Sequence, residues 1–259
     1  MFTLPPGPMT WPSFEFHDFI SSPPEAAAVQ PGNKNRRRNT SLLIRYAHPD
    51  GRRRHIVIDA GKFFYHSALQ WFPYFGVREL DAVIITHSHA DAIGGLDDLR
   101  DWTNNIQESI DVYTSQRDFE VMKKTHYYIV DSSSIVKGTA VSDIEFRIIS
   151  ETQPFFVHGL QVTPLPVWHG AGYKSLGFRV GNLCYISDVS EIPADTYRLL
   201  ENCMMHLMDH DKVNMELRLL LESEGLDVQL SYDGLRIPLP LAVNPPQLAL
   251  ANDLSPRDR

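Results

Sequence analysis

The segment that most limits how this chain can fold is Thr86-His87-Ser88-His89-Ala90-Asp91, which stands between an apolar strand-like run at 82–86 and a helical pattern at 95–104. In an extended loop that leaves a strand, alternate side chains project to the same side, so His87, His89 and Asp91 can converge on one point. Two imidazoles and one carboxylate at this spacing suit a divalent metal ion. The pair Gly94-Gly95 is expected to let the chain turn tightly into the next helix without a side chain in the way. The segment predicts a metal site at the end of a strand, and a polar loop with two histidines is the alternative.

Two later segments each place one candidate ligand after a strand. His169 follows the apolar run at 161–167, and Asp188 follows the run at 183–187. Alone, each has an ordinary explanation, because a single histidine after a strand is usually a surface or core residue and an aspartate there usually caps a turn. In combination with the first segment, their order favours one site that is assembled where several strands end.

The chain alternates between strand-like and helix-like patterns from residue 40 onward. The runs at 41–46 and 55–59 flank the turn-forming sequence His48-Pro49-Asp50-Gly51 and predict a hairpin. Further strands are predicted near 82–86, 111–114, 144–149, 161–167, 175–180 and 183–187, and helices near 62–72, 95–104, 116–125, 193–201 and 212–223. Strands in groups with helices between them predict sheets covered by helices, which is an α/β (α+β) fold.

Composition limits the classes of function. The chain has 24 Lys and Arg residues against 32 Asp and Glu residues, and the net charge of −8 leaves no broad positive surface for a long nucleic acid. Two cysteines cannot build a Cys-rich metal site, and no apolar run reaches the roughly 18 residues of a membrane span. We therefore expect a soluble, cytoplasmic protein with a small substrate and no membrane partner, and we leave a homodimer open.

The two ends of the chain differ from its middle. Residues 1–39 contain seven prolines and end near the basic run Arg36-Arg37-Arg38, with no sustained period of 2 or 3.6. This composition predicts a disordered lead, and organelle targeting by the same residues is the alternative. Residues 40–243 are expected to form the folded domain, and residues 244–259 a polar tail.

The order of the candidate ligands resembles the metallo-β-lactamase superfamily, in which an H-x-H-x-D-H loop is followed by a lone His, a bridging Asp and a last His. The matching residues are His87, His89, Asp91, His169, Asp188 and His206. The resemblance covers roughly residues 40–240. Within the superfamily, the segments at 39–44, 58–61 and 95–100 look like the phosphoribosyl cyclic phosphate phosphodiesterases, neighbours of ribonuclease Z. The resemblance implies a four-layer αββα sandwich with the metal loop at one edge of the paired sheets.

The same resemblance implies a hydrolase with a two-metal centre that takes Zn²⁺ or Mn²⁺. His87, His89 and His169 would hold a tight ion, and Asp188 would bridge to a weaker second ion near Asp91 and His206. A metal-bound hydroxide would attack the phosphorus of a small or cyclic phosphodiester. Asp91 and Asp188 are the expected catalytic carboxylates, and Asp59 is expected to hydrogen-bond the histidine loop rather than to bind metal.

Three features depart from the superfamily pattern, and one of them is that residues 1–39 show nothing like the strand and glycine-rich turn with which that branch opens. Ala92 stands where the loop usually has a further histidine, which predicts the weaker second metal site. Only 17 residues separate Asp188 from His206, where the fold normally places a further strand and helix. These departures predict a shortened form, and they leave two alternatives open. One is a thioester or lactam-type hydrolase of the same fold, and the other is a catalytically impaired binding protein.

Overall fold

Two β-sheets organise residues 38–130 and 143–200, the parts of the chain that the computed structural model describes. The first sheet has the strand order β1-β2-β3-β4-β5, and the second has the order β6-β7-β8-β9. The strands are β1 (Leu42–Ala47), β2 (Arg53–Ile58), β3 (Ala82–Ile84), β4 (Ile110–Ser115), β5 (Ile144–Ile149), β6 (Phe155–Val157), β7 (Leu160–Trp168), β8 (Lys174–Val180) and β9 (Leu183–Tyr185).

Helices connect the parallel strands of the first sheet. Strands β1 and β2 are antiparallel, whereas β2, β3, β4 and β5 run parallel, and parallel neighbours need a crossover connection. The helices in the described ranges are α1 (Phe64–Phe75), α2 (Ala90–Ile93), α3 (Leu96–Asn105), α4 (Gln116–Thr125), α5 (Tyr127–Val130) and α6 (Ala194–Leu199). The second sheet is antiparallel throughout, so short turns join its strands.

Alternating side chains of the first sheet fill two separate cores. Ile56 and Ile58 of β2 belong to the core between the sheets, together with Phe178 of β8. Val57 of β2 and Val83 of β3 point to the opposite face and pack with the apolar residues of α1 and α3. Because side chains alternate along a strand, both faces of the first sheet are apolar and buried.

A third apolar cluster covers the outer face of the second sheet. Leu165 of β7 and Cys184 of β9 pack there against Leu200, which follows α6. Helices therefore lie outside both sheets, and the predicted four-layer αββα arrangement is confirmed. Cys184 is buried in this cluster, 2% exposed, as a small apolar side chain would be.

The predicted helices and strands agree with the structure, except that the shortest elements of the structure were not predicted. The hairpin, the strands up to 183–187 and the helices up to 193–201 are present with shifts of a few residues at their ends. Strand β6 and helices α2 and α5 were not predicted, because three or four residues are too few to show a period. The helix predicted at 212–223 and both chain ends, 1–37 and 201–259, lie outside the described residues.

One buried hydroxyl joins the two sheets, and its removal gives a first prediction. The Tyr46 hydroxyl in β1 donates to the carbonyl oxygen of His158 at 2.8 Å, and burial raises the pKa of Tyr46 to about 12. We expect Tyr46→Phe to lower the free energy of unfolding by about 1 kcal/mol, because that carbonyl loses its donor. Urea denaturation measures the change. Tyr127→Phe, at a residue that is 64% exposed, should leave stability within about 0.5 kcal/mol of wild type.

Among the residues that the structure describes, none of the helices combines the length and the hydropathy that crossing a bilayer requires. The longest of them, α1, has 12 residues.

Candidate metal centre

Four polar side chains meet where strands of both sheets end. His87 and His89 follow β3 of the first sheet, while His169 and Asp188 follow β7 and β9 of the second. One ligand atom from each of the four lies within 4.8 Å of the others. The structure therefore places the three predicted histidines and Asp188 together at one edge of the paired sheets.

The distances among these atoms suit one tetrahedral ion. His169 Nε2 lies 3.1 Å from His89 Nδ1, and Asp188 Oδ2 lies 3.3 Å from His87 Nε2 and 3.7 Å from His169 Nε2. Ligands that bind zinc tetrahedrally at 2.0–2.1 Å are about 3.3 Å apart. These three separations are close to that value, and the four donor atoms all lie within 4.8 Å of one another.

The orientation of His87 leaves one nitrogen directed at the centre. Its Nδ1 lies 2.8 Å from the hydroxyl of Thr86, whose single proton goes to the carboxylate of Asp59, so Nδ1 carries a proton and donates it to Thr86. The buried Nε2 then keeps its lone pair and has no hydrogen-bond partner, although Asp188 Oδ2 is 3.3 Å away. A buried acceptor that faces a carboxylate needs a proton or a metal ion between the two groups, and a divalent metal fits that position.

Asp59 supports the histidine loop from behind. Its carboxylate accepts hydrogen bonds from the backbone N–H and the hydroxyl of Thr86, each at 2.9 Å, and from the Tyr185 hydroxyl at 3.1 Å. It is only 1% exposed, and its backbone is left-handed with φ of 64°, a conformation that costs a non-glycine residue energy. Asp59 contacts Thr86 rather than the centre, as expected from the sequence.

The position of Asp91 differs from the expected alternation along an extended loop. The chain enters α2 at Ala90, so Asp91 lies in the first turn of a helix and is not one of the four clustered residues. Its Oδ1 is 3.7 Å from His87 Nε2, at the edge of the centre. Asp91, Ala92 and Asp188 help to line a small cavity of about 10 Å³ beside the histidines.

The glycine pair leaves no room for a side chain, as expected, but its backbone does not form a turn that requires glycine. Gly94 and Gly95 have φ of −65° and −98°, which any residue can adopt. A Cβ on Gly94 would instead lie 2.9 Å from Lys62 Cβ, and one on Gly95 would lie 2.8 Å from the Gly61 carbonyl oxygen. Close packing against the loop after β2, rather than a tight turn, therefore requires glycine here.

Charges around the centre favour a cation among the imidazoles. Burial acts to lower the pKa of His87, but the carboxylates of Asp188 and Asp59 outweigh burial and raise it. The contact with His87 lowers the pKa of Asp188, whereas burial raises the pKa of Asp59 to about 7. Burial, together with the neighbouring imidazoles of His87 and His169, lowers the pKa of His89. A divalent ion would satisfy both the carboxylates and the neutral imidazoles.

Several residues of the centre were not found by sequence reasoning. Thr86 and Tyr185 bind Asp59, and Tyr173 stacks on His89 with ring centroids 5.0 Å apart. Thr86 directly precedes the histidine motif, and Tyr173 follows the Gly-Ala-Gly segment after His169. Their position next to the predicted ligands is the one sequence signal that could have identified them.

His206, the last predicted ligand, lies outside the described residues.

Two solved structures share this architecture. A new diphosphatase from the PhnP family has a TM-score of 0.65 and 22% identity, with 84% of this chain and 91% of that chain covered. The short form of human tRNase Z has a TM-score of 0.51 and 16% identity, with 78% and 93% covered. At these identities the similarity concerns the fold.

Sequence comparison identifies the family. An octanoyltransferase of Porphyromonas gingivalis (strain ATCC BAA-308 / W83) is 32% identical over 171 residues, which are 66% of this chain and 32% of that protein. The chain therefore spans about a third of the length of that relative. The model of the beta-lactamase superfamily domain matches residues 54–218, which include the histidine loop, His169 and Asp188. The chain belongs to the beta-lactamase superfamily.

Proposed function

We propose that the chain is a metal-dependent phosphodiesterase that acts on a small or cyclic phosphodiester. The observation that carries this proposal is the convergence of three imidazoles and one carboxylate within 4.8 Å, with a buried His87 nitrogen directed at the centre. The fold similarity to a diphosphatase and to a tRNase Z supports phosphoester substrates over other hydrolase substrates.

Each residue of the centre has a defined task in this reaction. His87, His89 and His169 would hold one Zn²⁺ or Mn²⁺ ion, and Asp188 would contribute an oxygen on the side facing Asp91. Such an ion lowers the pKa of a water and offsets charge on the phosphoryl oxygens. The Asp91 carboxylate, 3.7 Å from His87 Nε2 and with its side chain 45% exposed, would accept a proton from the attacking water.

We propose that a small substrate enters beside the turn that follows His169. A cavity of about 470 Å³ is lined by Trp168, Gly170, Ala171, Gly172, Ser190 and Glu191. This volume lies in the range of small-molecule sites. A Cβ at Gly170 or Gly172 would meet no atom within 4 Å, so the turn after His169 is not crowded by other side chains. The net charge of −8 favours a short substrate over a long nucleic acid.

Metal titration and turnover together test the proposal. We expect the metal-free protein to take up one ion tightly and a second ion weakly, because Ala92 removes an imidazole from the second position. The loaded protein should hydrolyse bis(p-nitrophenyl) phosphate, and Asp188→Asn should lose most of this activity. Absence of turnover with a full complement of metal would contradict the phosphodiesterase proposal. Two equally tight ions would contradict the role given to Ala92.

An acyl substrate is the second candidate. The match to an octanoyltransferase favours it, although the matched segment is 32% of that protein. A thioester or lactam-type hydrolase would use the same ligands, so we propose to assay an octanoyl thioester and a lactam beside the phosphodiester. Faster hydrolysis of the thioester would replace the phosphodiesterase proposal. A protein that binds metal and hydrolyses none of these substrates would be the impaired binding protein.

Loss of the Asp59 carboxylate should weaken the centre without destroying it. In Asp59→Ala the Thr86 N–H and hydroxyl and the Tyr185 hydroxyl lose their shared acceptor, so His87 loses its fixed orientation. We expect the affinity for Zn²⁺ to fall about 10–100-fold. Competition with a chromophoric chelator measures this change. Asp81→Ala removes a carboxylate of the β2–β3 region that binds Arg54 and should leave the affinity unchanged.

A further inference from the structure

Tyr173 contacts all three histidines of the metal centre. Its ring stacks on His89 at an interplanar angle of 16° and a centroid distance of 5.0 Å. The centroids of His169 and His87 are 5.8 and 6.5 Å from that of Tyr173. One aromatic ring is therefore shared by three imidazoles that come from two different sheets.

The Tyr173 hydroxyl is held on the side of the first sheet. It lies 3.2 Å from the Ser88 hydroxyl and donates to Asp118 Oδ1 at 3.3 Å. Because its single proton goes to the carboxylate, the Ser88 hydroxyl and backbone N–H are the donors toward the tyrosine oxygen. Ser88 stands between His87 and His89, so these hydrogen bonds tie Tyr173 to the backbone of the histidine loop.

Asp118 provides a fixed anchor for Tyr173. It lies in the first turn of α4, is 0% exposed, and accepts from the Ser115 hydroxyl at 2.6 Å and from Arg117 at 2.8 Å. The Arg117 guanidinium also lies over the Tyr173 ring, 5.0 Å from its centroid. A buried carboxylate with this many partners has one orientation, and Tyr173 is fixed with it.

From these contacts we infer that Tyr173 is a positioning residue that fixes the three histidines for metal binding, with Asp118 fixing Tyr173. The inference rests on the metal centre of the proposed function. It concerns the ligands and does not depend on the substrate. An imidazole that is held in its bound orientation before the ion arrives loses less conformational freedom on binding. Tyr173 contacts imidazole rings, whereas Asp59 acts through Thr86, so the two residues support the centre from different sides.

Metal affinity and the spectrum of the cobalt-substituted protein test this role. We expect Tyr173→Leu to lower the affinity for Zn²⁺ about 10–100-fold and to change the visible absorption of bound Co²⁺, because the ligand geometry changes. Tyr173→Phe keeps the ring and loses the hydrogen bonds to Ser88 and Asp118, so its affinity should fall only about fivefold, the effect of one average hydrogen bond. If Tyr173→Leu fails to fold, the test is the expected fivefold loss of Zn²⁺ affinity in Tyr173→Phe.

Tyr113→Leu is the matched control. Tyr113 is also a partly buried tyrosine that stacks on a ring, since it lies 5.6 Å from Phe155 in the core between the sheets. Its replacement should lower the melting temperature and leave the Zn²⁺ affinity and the Co²⁺ spectrum of wild type.

Three outcomes separate this inference from the proposed function. Unchanged affinity in the soluble Tyr173 variants, or an equal loss in Tyr113→Leu, would overturn the positioning role alone. Wild-type protein that binds Zn²⁺ without hydrolysing bis(p-nitrophenyl) phosphate would overturn the phosphodiesterase proposal and leave the affinity test of Tyr173 intact. Wild-type protein that binds no Zn²⁺ would overturn both.

Discussion

Replacement of His169 by alanine is expected to abolish retention of the metal ion and to lower phosphodiester turnover by about 1,000-fold or more. His169 Nε2 lies 3.1 Å from His89 Nδ1 and 3.7 Å from Asp188 Oδ2, so its loss opens one corner of the centre. Only two imidazoles and one carboxylate would remain. Because a bound ion supplies several kcal/mol of transition-state stabilisation, its loss removes at least three orders of magnitude in rate.

Metal content after dialysis and turnover of bis(p-nitrophenyl) phosphate measure this effect. His66→Ala is the control, because it removes an exposed imidazole of α1 and leaves the four clustered residues in place. Full metal content in His169→Ala would show that the ion is held by a different set of ligands.

Replacement of Gly61 by alanine is expected to lower the free energy of unfolding by about 3 kcal/mol and to disturb the metal centre. A Cβ on Gly61 would lie 1.9 Å from the Asp91 carbonyl oxygen and 2.8 Å from Asn39 Cβ. The backbone itself must therefore move, and overpacking of this kind costs about 1–3 kcal/mol or more. Since the displaced carbonyl belongs to α2, Asp91 should shift away from His87.

Urea denaturation and Zn²⁺ affinity, measured on the same protein, follow both consequences. Gly76→Ala separates the effect of crowding from that of backbone strain. Gly76 ends α1 with φ of 64°, and a Cβ there would meet no atom within 4 Å, so only the left-handed backbone penalises alanine. We expect a loss of about 1 kcal/mol and unchanged Zn²⁺ affinity in that variant. Equal losses of stability in the two variants would refute the role of close packing at Gly61.

The features that could be predicted from sequence are those with a local signal. The hairpin of β1 and β2 surrounds a turn-forming cluster, and the buried run before His87 has the composition of a strand. The ligand residues each follow such a strand, and strand ends of paired sheets lie together at one edge. The convergence of His87, His89, His169 and Asp188 therefore follows from where the strands stop.

Features that depend on contacts between distant segments could not be predicted in this way. The short helix α2 gives no periodic signal, so Asp91 was placed in an extended loop rather than in a helical turn. Gly94 and Gly95 were assigned to a turn because the loop that packs against them is more than 30 residues earlier in the chain. Tyr173 and Asp118 are 55 residues apart in sequence, and neither belongs to a recognisable motif.

The division of the metal ligands between the two sheets has a consequence for folding. His89 and His169 are 80 residues apart in sequence and belong to different sheets. The first sheet is mostly parallel with crossover connections, and the second is antiparallel with short turns. High metal affinity can therefore arise only when the two sheets are packed together. An ion bound there links the two sheets in the folded protein. Removing the ion with a chelator should therefore raise the unfolding rate more than it lowers the refolding rate.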